Sequence, residues 1–232
     1  MWRWVLGVGT VALAATPAVA QLSDDWSGPY VGILGGLDWS SAKGDYTGAS
    51  GGGGEGGEGG PPPVVHYDFN AKDTDLSFGG TLGFNFQMGP VVFGPEGDFM
   101  LVTGNGARVA DPGGSGHYDR IDNQWLAHLR GRVGFDLGGI LAYVAGGGAF
   151  ANIQAQHFSP DNGGQRFSET SVRSGYSLGG GVEGNLGQGW GWRIEYLRDH
   201  IGNHDYDFVP GVHYSDSDFT ANSIRIGIIW RP

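Results

Sequence analysis

Ten ionisable residues recur within segments that otherwise alternate apolar and small polar side chains. They are Glu96 and Asp98, then His128, Arg130 and Arg132, then Arg173, Glu183, Arg193 and Glu195, and finally Arg225. Paired carboxylates are the equipment of a glycosidase, and a Ser/His/Asp set is that of a hydrolase. The arginines point elsewhere. Guanidinium groups interleaved with carboxylates form bidentate pairs, and charges enclosed away from water must be paired. The expected role of these ten residues is therefore a structural charge network, with no catalytic residue among them. A second cluster, Asp199, His200, His204, Asp205, Asp207, His213, Asp216 and Asp218, is dense in imidazole and carboxylate. Such a set could hold zinc or copper, through His200, His204 and His213. The commoner fate of such a run is a solvated acidic loop. That reading is preferred, and no cofactor is expected.

The elements that must position the first set are strands. In Thr74 to Met88, Leu76, Phe78, Leu82, Phe84, Phe86 and Met88 share one face, while Asp75, Ser77, Gly79, Thr81, Gly83, Asn85 and Gln87 share the other. A period of two over this length means a strand with one apolar and one polar face. Strands of globular proteins usually run about five or six residues, whereas a tilted membrane-spanning strand needs about nine to eleven. The polar face is small, as a narrow barrel interior requires. The apolar face is expected to touch lipid.

Seven further segments repeat the pattern. Tyr30 to Trp39 turns Val31, Ile33, Leu37 and Trp39 outward. Val91 to Thr103 turns Phe93, Phe99 and Leu101 outward, with Glu96 and Asp98 inward. Asn123 to Asp136 places Trp125, Leu129, Val133 and Phe135 outside and His128, Arg130 and Arg132 inside. The glycine and alanine of Ile140 to Ile153 leave its faces unassigned. Val172 to Leu186 directs Tyr176, Leu178 and Val182 outward and Arg173, Ser177 and Glu183 inward. Trp190 to Asp199 sets Trp190, Trp192, Ile194 and Tyr196 against Arg193, Glu195 and Asp199. Phe219 to Trp230 sets Ile224, Ile226, Ile228 and Trp230 against Arg225.

Connections alternate in length. Gly89-Pro90, Gly138-Gly139 and Gly187-Gln188-Gly189 mark tight turns. Residues 40–73, 104–122, 154–171 and 200–218 are long and polar, and the first contains the low-complexity run Gly51 to Pro63. Short turns at one end and long loops at the other describe an eight-stranded antiparallel outer-membrane β-barrel with both termini on the periplasmic side. Interfacial aromatics fit that orientation: Tyr30, Phe86, Phe135, Trp190 and Trp230 near the periplasmic end, and Trp39, Trp125 and Phe219 near the outer end. A soluble lipocalin-like barrel has eight strands too, but it would bury the apolar face and expose the polar one.

The first twenty residues read as a secretory signal peptide: Arg3, then an apolar run from Val5 to Ala15, then Ala18-Val19-Ala20. The barrel is expected over residues 21–232. The formal charge of −11 excludes nucleic acid as a partner. The absence of cysteine excludes disulfides and thiolate metal sites. Glycine, 47 of 232 residues, exceeds its usual share of about 7%, and within strands it lets bulky interior side chains approach the backbone.

Several motifs carry a family resemblance. Trp26-Ser27-Gly28-Pro29-Tyr30-Val31-Gly32, Gly94-Pro95-Glu96-Gly97-Asp98, Leu129-Arg130-Gly131-Arg132-Val133-Gly134, Tyr143-Val144-Ala145-Gly146-Gly147, Gly179-Gly180-Gly181-Val182-Glu183 and Arg193-Ile194-Glu195-Tyr196 occur in order along the chain. The sequence resembles the alphaproteobacterial outer-membrane β-barrel proteins, relatives of the OmpA membrane domain often labelled porin-family proteins. The resemblance implies a Gram-negative outer membrane, envelope integrity and surface display, and recognition of the last strand, 219–230, by the outer-membrane assembly machinery. It also leaves open a narrow porin for small solutes, or loop-mediated adhesion or haem binding. The family's last strand usually ends on an aromatic residue, whereas here Trp230 is followed by Arg231-Pro232. Eight-stranded membrane enzymes such as the lipid A deacylases carry a His-x-Ser-Asn arrangement; His200-Ile201-Gly202-Asn203 has no serine at that spacing.

Overall fold

A computed structural model describes residues 25–49, 64–104, 107–110, 118–159, 165–202, 204–209 and 212–232. Residues 1–20, expected as a signal peptide, and the Gly/Pro-rich run lie outside them. Ten strands follow in order: β1 (Gly28–Ala49), β2 (Val64–Met88), β3 (Val91–Thr103), β4 (Ala107–Ala110), β5 (Tyr118–Asp136), β6 (Ile140–Ser159), β7 (Gln165–Gly187), β8 (Trp190–Ile201), β9 (His204–Val209) and β10 (Val212–Trp230). Eight of them form an antiparallel sheet, β1-β2-β3-β5-β6-β7-β8-β10, which closes through β1 and β10. Closure runs from Val31 opposite Trp230 to Thr47 opposite His213. β4 and β9 are short additions, paired to β5 and β10. Closure leaves the membrane-spanning part without an open edge, which lipid requires of a strand-built span.

The three short connections are hydrogen-bonded to one another's strands. Asp136 N donates to Pro90 O at 2.7 Å, Asn185 N to Gly139 O at 3.1 Å and Arg231 N to Gly189 O at 2.7 Å. Gly89, Gly138, Gly139, Gly187 and Gly189 all have positive φ, a conformation that costs glycine little.

Among the described side chains, the strands of the closed barrel alternate as the two solvents demand. Leu82 is 65% exposed and its neighbour Thr81 4%. An apolar outer wall and a polar, charged interior are the reverse of a lipocalin-like barrel. β6 now has faces: Leu141, Tyr143, Ala145, Ala149, Ala151 and Ile153 are buried inside, while Ile140, Val144 and Phe150 are exposed.

Three sequence expectations need correction. The long loops are shorter than the alternation implied. β1 continues through residues 40–49 and β2 through 64–73, so the loop expected over 40–73 is largely a hairpin. β5, β6, β7, β8 and β10 also extend beyond their expected ends. The ladder needs only backbone groups, whereas the sequence signal needs a lipid face, and it fades once the strands leave the membrane. Tyr30 is not interfacial: it is buried in the barrel, because it precedes the outward Val31 by one position. Phe219 is buried as well, opposite the buried Ile201.

Candidate functional site

The barrel interior is organised by strand register. Glu96 stands opposite Arg130 and Asp98 opposite His128; Glu183 stands opposite Arg193, and Glu195 opposite Arg225. Opposite charges therefore meet as direct cross-strand neighbours, the closest side-chain relation that a sheet offers.

Three layers stack along the interior. At the periplasmic end, Trp26 is fully buried and packs with Val92, Leu141, Tyr143 and Ala145. Its ring lies 4.4 Å beneath the Arg231 guanidinium, which also bonds Glu183. The Trp26 amide donates to Gln87 Oε1 at 2.7 Å, which ties the segment before β1 into the barrel floor.

The middle layer holds the charges. Glu96 sits 2.6 Å from both Arg130 and Arg193 and 3.6 Å from Arg132. Glu183 bonds Arg132 and lies 2.6 Å from Arg193. Arg130 reaches Glu195 at 3.2 Å and Asp98 at 2.8 Å. Asp98 also meets Arg225 at 3.1 Å and His128 Nδ1 at 2.7 Å. The other ring nitrogen of His128 is 3.2 Å from Asp199. Two tyrosines bracket the arginines: Arg132 lies 4.6 Å over Tyr30 and 5.0 Å from Tyr143, within cation–π range. Tyr30 donates to Glu96 at 2.6 Å and Tyr143 to Glu195 at 2.9 Å. Glycine makes room for both rings. Gly83 and Gly181 stand opposite Tyr30 and Tyr143, and a Cβ there would fall 2.3 Å and 2.8 Å from the phenolic oxygens.

The outer layer is mixed: Met100, Leu126, Ala149, Ala151, Ile153, Leu197, Ile201, Phe219 and Ala221 are buried there, alongside the buried Arg173, Ser177, Asp199 and Ser223. Asp38 is buried on the β1 side and accepts from Ser223.

Nine of the ten charged residues singled out by sequence thus meet in one network. Arg173 is buried too, but on the outer side, opposite Ala151. Sequence reasoning missed Tyr30, Tyr143, Asn85 (which accepts from Arg132 Nε at 3.1 Å) and Arg231 as network members. It placed Asp199 inward on its strand but grouped it chemically with the histidine-rich loop. Parity alone could have found Tyr30, and it already set Asn85 on the polar face of its strand.

The three histidines are not brought together along the backbone. His200 pairs with Thr220, His204 with Asp216 and His213 with Asp207. From Thr220 to His213 is seven positions along β10, about 23 Å at 3.3 Å per residue, too far for the ligands of one ion. The side chains of His204 and His213 lie outside the described residues. His200 packs its ring 5.1 Å from Tyr176. Among the described residues, no three His, Cys, Asp or Glu form a group suited to a metal.

A closed antiparallel barrel with an apolar outer wall, short turns at one end and long hairpins at the other defines the outer-membrane class of β-barrel. The chain belongs to the outer membrane protein beta-barrel domain family, which it matches over residues 8–231. It is 29% identical to a 22 kDa outer membrane protein of Rhizobium leguminosarum bv. viciae over 163 residues, covering 69% of each chain. It is 27% identical to a 25 kDa outer-membrane immunogenic protein of Brucella abortus over 203 residues, covering 88% of this chain and 78% of the relative. Among solved structures it is similar to Neisserial surface protein A, with a TM-score of 0.39, 12% identity and coverage of 85% of this chain and 97% of that one. The family and the Rhizobium and Brucella relatives, outer-membrane proteins of alphaproteobacteria, place the protein in the outer membrane.

Proposed function

We propose that the protein is a non-conducting barrel that contributes to envelope integrity and carries its hairpins at the cell surface, with no catalysis. The observation that carries this reading is the layered interior. A narrow barrel is just wide enough for side chains to fill. Here the charge network lies between a Trp26 floor and an outer layer of buried apolar and polar side chains, and Glu96, Glu183, Arg193 and Arg225 are at most 1% exposed. An ion crossing this interior would have to break several buried pairs at once, each costly to open. The same reading makes β10, with Ile224, Ile226, Ile228 and Trp230 on its lipid face, the strand read by the assembly machinery. It also takes residues 1–20 as the leader removed on export.

Single-channel recording on refolded protein in planar bilayers tests the reading. The expected result is little or no steady conductance, with ion leakage appearing in Glu96→Ala and increasing in Glu96→Arg. A stable open channel in the unaltered protein, indifferent to those changes, would overturn the plug in favour of a narrow porin.

A further inference from the structure

On the outer wall the apolar band gives way to polar side chains, and they differ from one side of the barrel to the other. Register carries one lateral row across five strands near the outer end: Lys72 stands opposite Ser41, Ser41 opposite Thr220, Thr220 opposite His200 and His200 opposite Tyr176. Two positions nearer the periplasm, Trp39 stands opposite Asn222 and Asn222 opposite Arg198. Both rows keep the parity of the exposed Leu37, Leu76, Ile194 and Ile224 beneath them, so they face outward, and Lys72 and Arg198 are exposed. From Trp230 to Thr220 is ten positions of β10, about 33 Å of strand. A tilt of about 40° reduces this to roughly 25 Å, the height of the apolar band in such barrels. The two rows therefore lie where the outer headgroups begin.

Charge on this face has one sign. The carboxylates of the same strands, Asp38, Asp73, Asp75 and Asp199, occupy the alternate positions and turn inward. Among the described residues of β8, β10, β1 and β2, no carboxylate shares the outer face with Lys72 and Arg198. Hydrogen-bond donors lie between the two cations. Tyr196 donates to Asn222 Oδ1 at 2.8 Å, which engages the amide oxygen and leaves the amide NH2 as the donor beside Arg198. Tyr196 also packs 6.3 Å from Trp39, and His200 packs 5.1 Å from Tyr176, so rings support the polar groups. On the far wall, the same level carries amides bonded to one another: Gln124 donates to Gln154 and accepts from Asn152, both at 3.0 Å.

We propose that the outer face of β8, β10, β1 and β2 binds the phosphorylated headgroup of an outer-leaflet lipid. Arg198 offers the planar fork that phosphate accepts in two bonds, and Lys72 adds a second point charge. Three strand spacings and one row separate the two residues, roughly 16 Å, so the face fits a headgroup carrying more than one phosphate. Ser41, Thr220 and Asn222 bridge that interval with neutral donors. Leu37, Ile224 and Ile226 continue the same face downward into hydrocarbon, where acyl chains complete the contact and a soluble anion has nothing to meet.

Native mass spectrometry of the full-length barrel, released from phosphatidylcholine nanodiscs doped with lipid A, tests the assignment. Bisphosphorylated lipid A should be retained in preference to phosphatidylcholine, and the dephosphorylated form, with the same acyl chains, should not. Arg198→Gln should weaken retention about fivefold and Arg198→Gln/Lys72→Gln about thirtyfold, since each cation near an anionic lipid surface adds a similar increment. Asn152→Ala, at the same level on the far wall, should leave retention unchanged. Equal retention by the double variant, equal retention of the dephosphorylated lipid, or an equal loss in Asn152→Ala would overturn the site. Displacement of lipid A by inorganic phosphate would assign the face to a free anion and overturn the lipid as its ligand.

Discussion

Leu129 and Arg130 are adjacent on β5, yet Leu129 is 66% exposed to the outside and Arg130 is 2% exposed inside. The two faces of the strand obey different rules. On the outer face any apolar side chain will serve, because lipid tails make no directional demands; Leu, Val, Ile, Phe and Trp all occur there. On the inner face each residue is specified by its partner. Arg130 requires Glu96, Asp98 and Glu195, and Glu96 requires Tyr30 as well. The wall is held by a property, the interior by particular contacts. Substitutions should therefore be tolerated by chemical class outside and by identity inside.

The sharpest break of that contrast is Glu183→Ala. Glu183 joins Arg132 of β5, Arg193 of β8 and Arg231 just past β10, and its loss leaves buried guanidinium groups short of countercharge. Removing one partner of a buried ion pair costs roughly 3–5 kcal/mol. Urea unfolding in lipid vesicles should show a fall of that size. A loss below about 1 kcal/mol would mean that the interior is wet enough to screen the arginines.

On the outer face the corresponding break is Leu82→Arg. Leu82 faces lipid well inside the span, opposite Val31 and Gly97, and a charged side chain near the bilayer midplane costs about 2–4 kcal/mol. The same unfolding measurement applies. Moving the arginine to Thr74, an exposed position at the outer end of the same face, should bring the cost down to about 0–1 kcal/mol, since the penalty depends on depth.

How much of this was legible in the sequence follows from the same contrast. The outer face was readable because its requirement is hydropathy, which residue type reveals. β2 alternates cleanly, and its faces follow from that alone. β6 did not, since Ala142, Gly146 and Gly148 outside and Ala145, Gly147 and Ala149 inside are small on both sides; its faces are set by neighbours, as where Gly147 lies so close to the β5 backbone that a Cβ would meet Leu129 O at 2.1 Å. The charges could be read as a network from type and parity. Which charge meets which depends on register, and register is a property of two strands. Arg231 was out of reach for another reason: it lies past the last strand residue, where alternation no longer says which way a side chain turns. The hairpins beyond the membrane were missed because their ladders persist after the lipid-imposed pattern has ended.

Tyr30→Phe sharpens the inner rule. The substitution removes the hydroxyl that donates to Glu96 at 2.6 Å and keeps the ring under Arg132 and Arg193. A hydrogen bond to a charged group is worth about 1.5–3 kcal/mol, so the variant should be destabilised by an amount near the low end of that range. Glu96 keeps its arginines, which limits the loss. Tyr30→Leu should cost more, because the cation–π contacts go as well. Equal losses for the two variants would assign the whole effect to the hydroxyl.

Thr81→Ser is the smallest expected effect and the closest control for Leu82→Arg, one residue away. Thr81 is buried, its hydroxyl donates to Gly97 O at 3.2 Å, and its methyl lies against Gly32, close enough that a Cβ there would be 3.1 Å from it. Serine keeps the donor and removes one methyl, worth about 0.8 kcal/mol when buried. Interior identity is therefore nearly conserved, and the barrel should lose under about 1 kcal/mol by the same vesicle titration. Thr81→Val supplies the complementary change, with volume kept and the hydroxyl removed. If the inner face is specified by partners, valine should be the worse of the two, even though it is the more apolar. If the interior tolerated residues by class, as the wall does, valine would be neutral or stabilising, and the distinction between the two faces would fail at the position where it is easiest to measure.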